Sequence, residues 1–161
     1  MSVAGDVQAV VFGLGREKFA LPAGSVREIL DHRHASAIPN GPSWLVGLTD
    51  VRDRAVPLVD LRVRLGLAGA DATPATRILV VDVPICGRNL TLGLVVDRVL
   101  DVSSFPAAEI EAPPDIGVRW RSEYIRGVVR RLDGFVVLLA TDGIFLAEED
   151  ALVLPDVARA A

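Results

Sequence analysis

Trp44-Leu45-Val46-Gly47 is followed, nine residues after its glycine, by Val56-Pro57-Leu58-Val59, and Tyr124-Ile125-Arg126-Gly127 is followed at the same distance by Val136-Val137-Leu138-Leu139. The two stretches are offset by 80 residues. A second correspondence, offset by 73, matches Leu21, Val26, Glu28 and Ile29 with Leu94, Val99, Asp101 and Val102. Two matches at similar offsets indicate an internal duplication, and each copy has the length for a small sheet of about five strands.

Working outward, short β-type segments dominate. Val7 to Phe12, a turn over Gly13 to Gly15, and Lys18 to Leu21 read as a first hairpin, because glycine permits a tight reversal. Trp44 to Val51 and Arg54 to Val59 read as a second, turning around Asp53-Arg54. Arg77 to Val83 and Asn89 to Val96 form a third around Cys86-Gly87-Arg88-Asn89. Tyr124 to Arg131 and Gly134 to Ala140 form a fourth, with Asp133-Gly134 as its turn signal. Several of these runs are apolar on successive residues, so both strand faces must be covered. Helices are short. Asp60 can cap Leu61 to Leu65 and Gly66 can stop it, since aspartate accepts from the orphan amides and glycine tolerates a left-handed exit. Thr141 or Asp142 can cap a turn through Gly143 to Leu146. Residues 68–75 read as a connector, and Pro113-Pro114 as the start of a rigid loop.

Of 161 residues 51% are hydrophobic, enough for a substantial interior. The longest clean apolar run, Phe135 to Ala140, is far short of the about 18 residues a membrane helix needs. The first six residues carry no basic segment followed by an apolar block, so no signal peptide is expected. One cysteine allows no internal disulfide framework, and a cytoplasmic location is the default expectation. Net charge is −4 with both signs scattered, which speaks against nucleic acid as a partner. The densest basic stretch, Arg119, Arg121, Arg126, Arg130 and Arg131, is broken by Glu123 and Asp133 and suits a solvated strand face or the rim of a protein contact.

Catalytic chemistry finds little support. His32 and His34 stand in a polar stretch with no nucleophile elbow nearby, and their i, i+2 spacing is not a zinc pattern. Cys86 has no histidine near it in sequence to activate a thiolate. Gly13-Leu14-Gly15-Arg16 lacks the third glycine and the following helix of a dinucleotide fingerprint. Glu148-Glu149-Asp150 reads as a solvated acidic face. No cofactor, metal or catalytic residue is expected.

With these residues in hand, the chain resembles the CheW family of chemotaxis adaptors from about Val7 to Phe145. The resemblance rests on Phe12 to Pro22, on Val26-Arg27-Glu28-Ile29-Leu30, on Ile38-Pro39-Asn40-Gly41-Pro42, on Gly47-Leu48-Thr49-Asp50-Val51-Arg52, on Val56 to Leu61, on Gly93 to Val99 and on Tyr124-Ile125-Arg126-Gly127, in family order. Asp50 and Asp53 depart from the family's Asn and Gly, and Ala140 from a common Asp. Aspartate tolerates a left-handed backbone, so the turn can survive.

The resemblance implies an all-β fold of two five-stranded Src-homology-3-like barrels packed together. It implies one domain over 7–145, with halves at about 20–75 and 76–140 that exchange strands, and a tail or short helix over 146–161. It implies a non-catalytic adaptor joining the cytoplasmic tip of a chemoreceptor to the regulatory domain of a CheA-type histidine kinase. Such a protein is monomeric alone, multimeric in membrane receptor arrays, and not itself membrane-inserted. An adaptor of a type IV pilus or another chemosensory-like pathway fits as well, and the alternative of a different class is a small β-barrel enzyme using Cys86 or His34. For the receptor, the expected groove is Val26, Glu28, Ile29, Leu30, Val99 and Val102, with Glu28 at its rim, although Ile29 and Val102 can equally belong to the core between the halves. For the kinase, the expected edge is Ile38, Trp44, Val46, Gly47 and Leu48, although Trp44 can equally fill the core. Arg52 and Asp60 are expected to give structural support.

Overall fold

The structure, a computed structural model, describes residues 5–85, 87–113 and 124–145. The strands run β1 (Val7–Leu14), β2 (Glu17–Pro22), β3 (Val26–Asp31), β4 (Leu45–Val51) and β5 (Arg54–Asp60). Helix α1 (Leu61–Arg64) follows, then β6 (Arg77–Ile85), β7 (Arg88–Val96), β8 (Arg98–Phe105), β9 (Ile110–Glu111), β10 (Ile125–Arg131) and β11 (Gly134–Leu139). All four expected hairpins form. The fourth turns one residue earlier than expected, at Leu132-Asp133, and so does the second, at Arg52-Asp53, with φ of 53° and 64°. Two successive left-handed residues match the right-handed twist of a hairpin, and aspartate tolerates the position better than most side chains.

The strands make two sheets, in the orders β8-β1-β2-β11-β10-β9 and β3-β6-β7-β5-β4. Read side by side, β8 corresponds to β3, β1 to β6, β2 to β7, β11 to β5 and β10 to β4. The duplication is therefore a two-fold relation between sheets. Its irregularities repeat too. The register slips between Val26 and Glu28 and, 73 residues on, between Val99 and Asp101. It slips again between Leu45 and Gly47 and, 80 residues on, between Ile125 and Gly127. Neither copy makes a whole sheet by itself. One sheet takes β3 to β7, residues 26–96, and the other takes β1, β2 and β8 to β11. The reason is that each N-terminal hairpin passes its third strand to the opposite sheet.

Alternation along each strand explains the apolar runs. Val7, Ala9 and Val11 face a small core with Phe105, Val129 and Leu138 inside the first sheet. Val10, Phe12 and Leu14 face the opposite way, into a core shared with Leu79, Val81, Leu92 and Leu94 of the other sheet. In that sheet Ile78 and Val80 turn to a third core with Leu58. Side chains of period two that find apolar neighbours on both faces give the near-continuous hydrophobicity of the sequence.

Asp60 caps α1 by accepting a bond from the Val63 amide at 3.4 Å, and Gly66 leaves the helix at φ 85°. Within α1, Arg62 reaches Asp97, which links β7 to β8. The Asp97 carboxylate accepts from Arg62 Nε at 2.9 Å, from Arg62 Nη2, and from the Gly15 amide at 2.6 Å. Arg98 Nη1 donates to the Gly15 carbonyl at 2.8 Å. The Arg62 hydrogen bond, helped by the Gly15 amide and the nearby Arg98 charge, holds the Asp97 carboxyl below the usual carboxylate range despite partial burial. A carboxylate with a lowered folded pKa stabilises the fold above its unfolded value, and that stabilisation is lost as pH falls through the folded value. Asp97→Asn is expected to lose about 2 kcal/mol at pH 7, as for a charged hydrogen bond. The difference from wild type should shrink below about pH 4, where the unfolded carboxyl protonates. Urea denaturation of both proteins at pH 7 and pH 3 checks this.

Candidate functional site

Because β3 and β8 are equivalent edge strands, their side chains can be compared position by position. Val26 lies opposite Val81, and Val99 opposite Phe12. Both valines are half-buried and pack against the core between the sheets. Ile29, opposite Leu79, and Val102, opposite Val10, continue the same two faces outward. They are large apolar side chains left 41% and 57% exposed. Each sheet thus offers a matched pair, one residue anchored in the shared core and one open to solvent, along its side of the seam. Four of the residues expected for the groove are arranged in this way.

Leu30 and Glu28 are not. The bulge at Arg27 restarts the alternation, so Glu28 lies opposite Val80 and Leu30 opposite Ile78. Leu30 packs on Leu58, Ile78 and Val80 inside its own sheet and offers nothing to the seam. Glu28 is half-buried at the mouth of that sheet, where a recess of about 290 Å³ is lined by Arg27, Glu28, Val51, Arg52, Arg54, Val56, Val80 and Thr91. Arg52 donates to both Glu28 oxygens, at 3.0 and 3.2 Å. That hydrogen bond, with the Arg52, Arg27 and Arg33 charges, lowers the Glu28 pKa. Arg52 thereby ties the β4–β5 turn to β3.

On the β4 side the expected edge is reduced. Trp44 is 6% exposed and belongs to the core between the sheets. Gly47 is buried, and a Cβ built on it would lie 2.2 Å from the Ser36 carbonyl oxygen. Leu48 is half-buried and exchanges both backbone bonds with Ser36, at 2.8 Å each. Gly47 and Leu48 were expected at an open edge, and Trp44 either there or in the core. The chain at Ser36 crosses over Gly47 and closes it. Ile38 is half-buried, and Val46, the bulged residue, remains 41% exposed.

Other candidates for chemistry disperse. His32 and His34 are exposed, and no group of three histidine, cysteine or acidic side chains suited to a metal occurs among the described residues. Cys86, Arg119, Arg121, Leu146 and Glu148-Glu149-Asp150 lie outside the described residues. Arg130 and Arg131 pair with Glu111 and Glu109, at 3.3 and 3.2 Å, so the C-terminal part of the basic stretch is neutralised. No helix among the described residues is long and apolar enough to cross a membrane. Two features escaped the sequence reading, the Arg62–Asp97 bond and the burial of Arg64 against Trp44. Neither follows a spacing rule: Arg62 meets Asp97 where β5 pairs in parallel with β7, and Arg64 meets Trp44 where α1 follows the β4–β5 hairpin.

The comparisons agree with this architecture. Residues 8–149 match the family model for the CheW-like domain. The chain is 30% identical to the probable chemotaxis protein CheW of Rhizobium etli over 145 residues, 90% of this chain and 91% of that one. It is 31% identical to the chemotaxis protein CheW of Klebsiella aerogenes over 144 residues, 89% of this chain and 84% of that one. The crystal structure of the scaffolding protein TtCheW from Thermoanaerobacter tengcongensis superposes with a TM-score of 0.76 at 25% identity, covering 88% of this chain and 94% of that one. Two exchanged sheets with paired bulges, and a match running through nearly all of them, lead to one conclusion: the chain belongs to the CheW-like domain family.

Proposed function

We propose that this protein is a non-catalytic cytoplasmic adaptor that joins a chemoreceptor tip to the regulatory domain of a CheA-type histidine kinase, and is carried to membrane receptor arrays by those partners. The observation that carries the reading is the seam. Val26 and Val99 each pack against the core between the sheets, and Ile29 and Val102, further along the same strand faces, stand exposed. A helical partner needs an apolar track with side chains already held in place, because a preorganised surface loses little freedom on binding. Val46, with Ile38 and Leu48 at its flank, remains as the first-copy surface for the kinase. Each contact is small, since a few aliphatic side chains at about 25 cal/mol per Å² leave little after the cost of association. Assembly then depends on several weak contacts acting together.

The test is reconstitution from three purified components: this protein, a chemoreceptor cytoplasmic fragment and the kinase's regulatory domain. Analytical ultracentrifugation is expected to show a complex holding all three, with receptor and kinase domain failing to associate when the protein is omitted. Failure to bind either partner overturns the reading. Binding only to components of a pilus-type pathway moves the protein to that pathway.

A further inference from the structure

The two-fold relation sets the Arg64 side chain between the two halves. The offset of 80 that relates Trp44 to Tyr124 also relates Arg64 to Ile144. Arg64 Nη2 donates to the Ile144 carbonyl at 2.5 Å. A residue bonded to its own symmetry counterpart must lie beside the axis. The aromatic rings say the same. The Arg64 guanidinium carbon is 5.4 Å from the Trp44 ring centre and 5.2 Å from the Tyr124 ring centre. A group nearly equidistant from two symmetry counterparts sits between the halves. Trp44 leads into β4 and its carbonyl accepts from the Asp60 amide at 2.8 Å. Tyr124 leads into β10 and its carbonyl accepts from Ala140 at 2.9 Å. Each ring is thus anchored to its own sheet, and one guanidinium touches both.

Arg64 is 9% exposed. Burying a charged group is costly, and a well-packed apolar side chain is often at least as stabilising in its place. What an apolar side chain lacks is direction. A guanidinium is planar, attracts ring faces and donates along set lines, so it admits few orientations of the groups around it.

We propose that Arg64 is a positioning residue, a pin on the pseudo-two-fold axis that sets the orientation of the two sheets and, through it, the spacing of the Val26–Ile29 and Val99–Val102 sides of the seam. The pin stands on the geometry alone, and its effect on a partner rests on the receptor-binding reading above.

Pulsed electron spin resonance tests it on the full chain. Spin labels go on Arg54→Cys in one sheet and Leu132→Cys in the other, both exposed, with Cys86→Ser removing the sole native thiol. The wild-type background is expected to give one narrow distance distribution. Arg64→Met should at least double its width, and Arg64→Lys, which keeps a cation between the rings, should restore most of the narrowness. A distribution in Arg64→Met as narrow and centred as the wild type overturns the proposal. Should Arg64→Met fail to fold, Tyr124→Leu removes one ring while keeping the guanidinium, and an unchanged distribution there overturns it equally. The same variants are then titrated with a chemoreceptor cytoplasmic fragment. The dissociation constant should rise at least fivefold in Arg64→Met and recover in Arg64→Lys. Broadening with undisturbed receptor affinity leaves the pin standing and counts instead against the seam as the receptor site.

Discussion

Gly47→Ala is expected to destabilise the protein by about 3 kcal/mol, lowering Tm by about 10 °C for a chain of this size. The added Cβ would lie 2.2 Å from the Ser36 oxygen and 2.7 Å from its carbonyl carbon. Those atoms are backbone and cannot rotate away. They are also held there, because Ser36 exchanges two 2.8 Å hydrogen bonds with Leu48. The glycine further has φ of 153°, near the margin of what a side chain accepts. Relief would require opening the Ser36–Leu48 bridge, which unpairs backbone groups as well as moving the crossing segment. The equivalent glycine gives an internal control. At Gly127 the nearest atom is the Ile110 Cγ2 at 2.6 Å, the tip of a side chain that can turn, and the backbone oxygen of Glu111 is at 3.0 Å. Gly127→Ala is expected to cost about 1 kcal/mol, in the range of a modest overpacking. Thermal and urea unfolding of the two variants should rank them clearly. Equal losses would mean that the crossing at Ser36 is not the tight contact described.

Ile29→Asp and Val102→Asp are each expected to weaken binding of a chemoreceptor cytoplasmic fragment at least tenfold while leaving Tm within about 3 °C of wild type. Both side chains are substantially exposed, so the new carboxylate keeps its water in the free protein. In a complex it would be stripped of water against an apolar partner, which is where the loss arises. Val26→Asp and Val99→Asp are poorer tests of the same surface. Those valines pack against the core between the sheets, so an aspartate there costs stability before any partner arrives. Leu30→Asp separates the two effects. It should destabilise the protein through the core around Leu58 and Ile78 without removing a seam contact. Calorimetric titration beside thermal unfolding of all five variants provides the comparison. Retained affinity in both Ile29→Asp and Val102→Asp would end the case for the seam.

Much of this architecture was written in local sequence. The hairpins follow from turn residues between apolar runs, and their boundaries shift by only a residue or so because Gly15, Asp53 and Gly134 dictate where the chain can reverse. Asp60 and Gly66 likewise bound α1 by their own chemistry. The site was less legible. Val26, Ile29, Val99 and Val102 stood out through the 73-residue correspondence, but Leu30 could not be separated from Ile29. Consecutive strand residues face opposite ways, and the bulge at Arg27, which decides that Ile29 and not Leu30 shares the face of Val26, leaves no mark in residue type. Trp44 was ambiguous for a related reason, since a large aromatic serves a core or an interface equally well until its neighbours are known.

What the sequence determined by itself was the set of parts: an all-β chain, duplicated, with its turns, its cap and its apolar faces in place, because these depend on residues close along the chain. Tertiary structure decided which faces meet. The exchange of β3 and β8 between sheets sets Val26 and Val99 against the shared core, the parallel pairing of β5 with β7 brings Arg62 to Asp97, and the packing of the two halves sets Arg64 between Trp44 and Tyr124. The physical reason is that burial and hydrogen bonding between distant segments are settled by the global packing of two sheets, which no local pattern encodes.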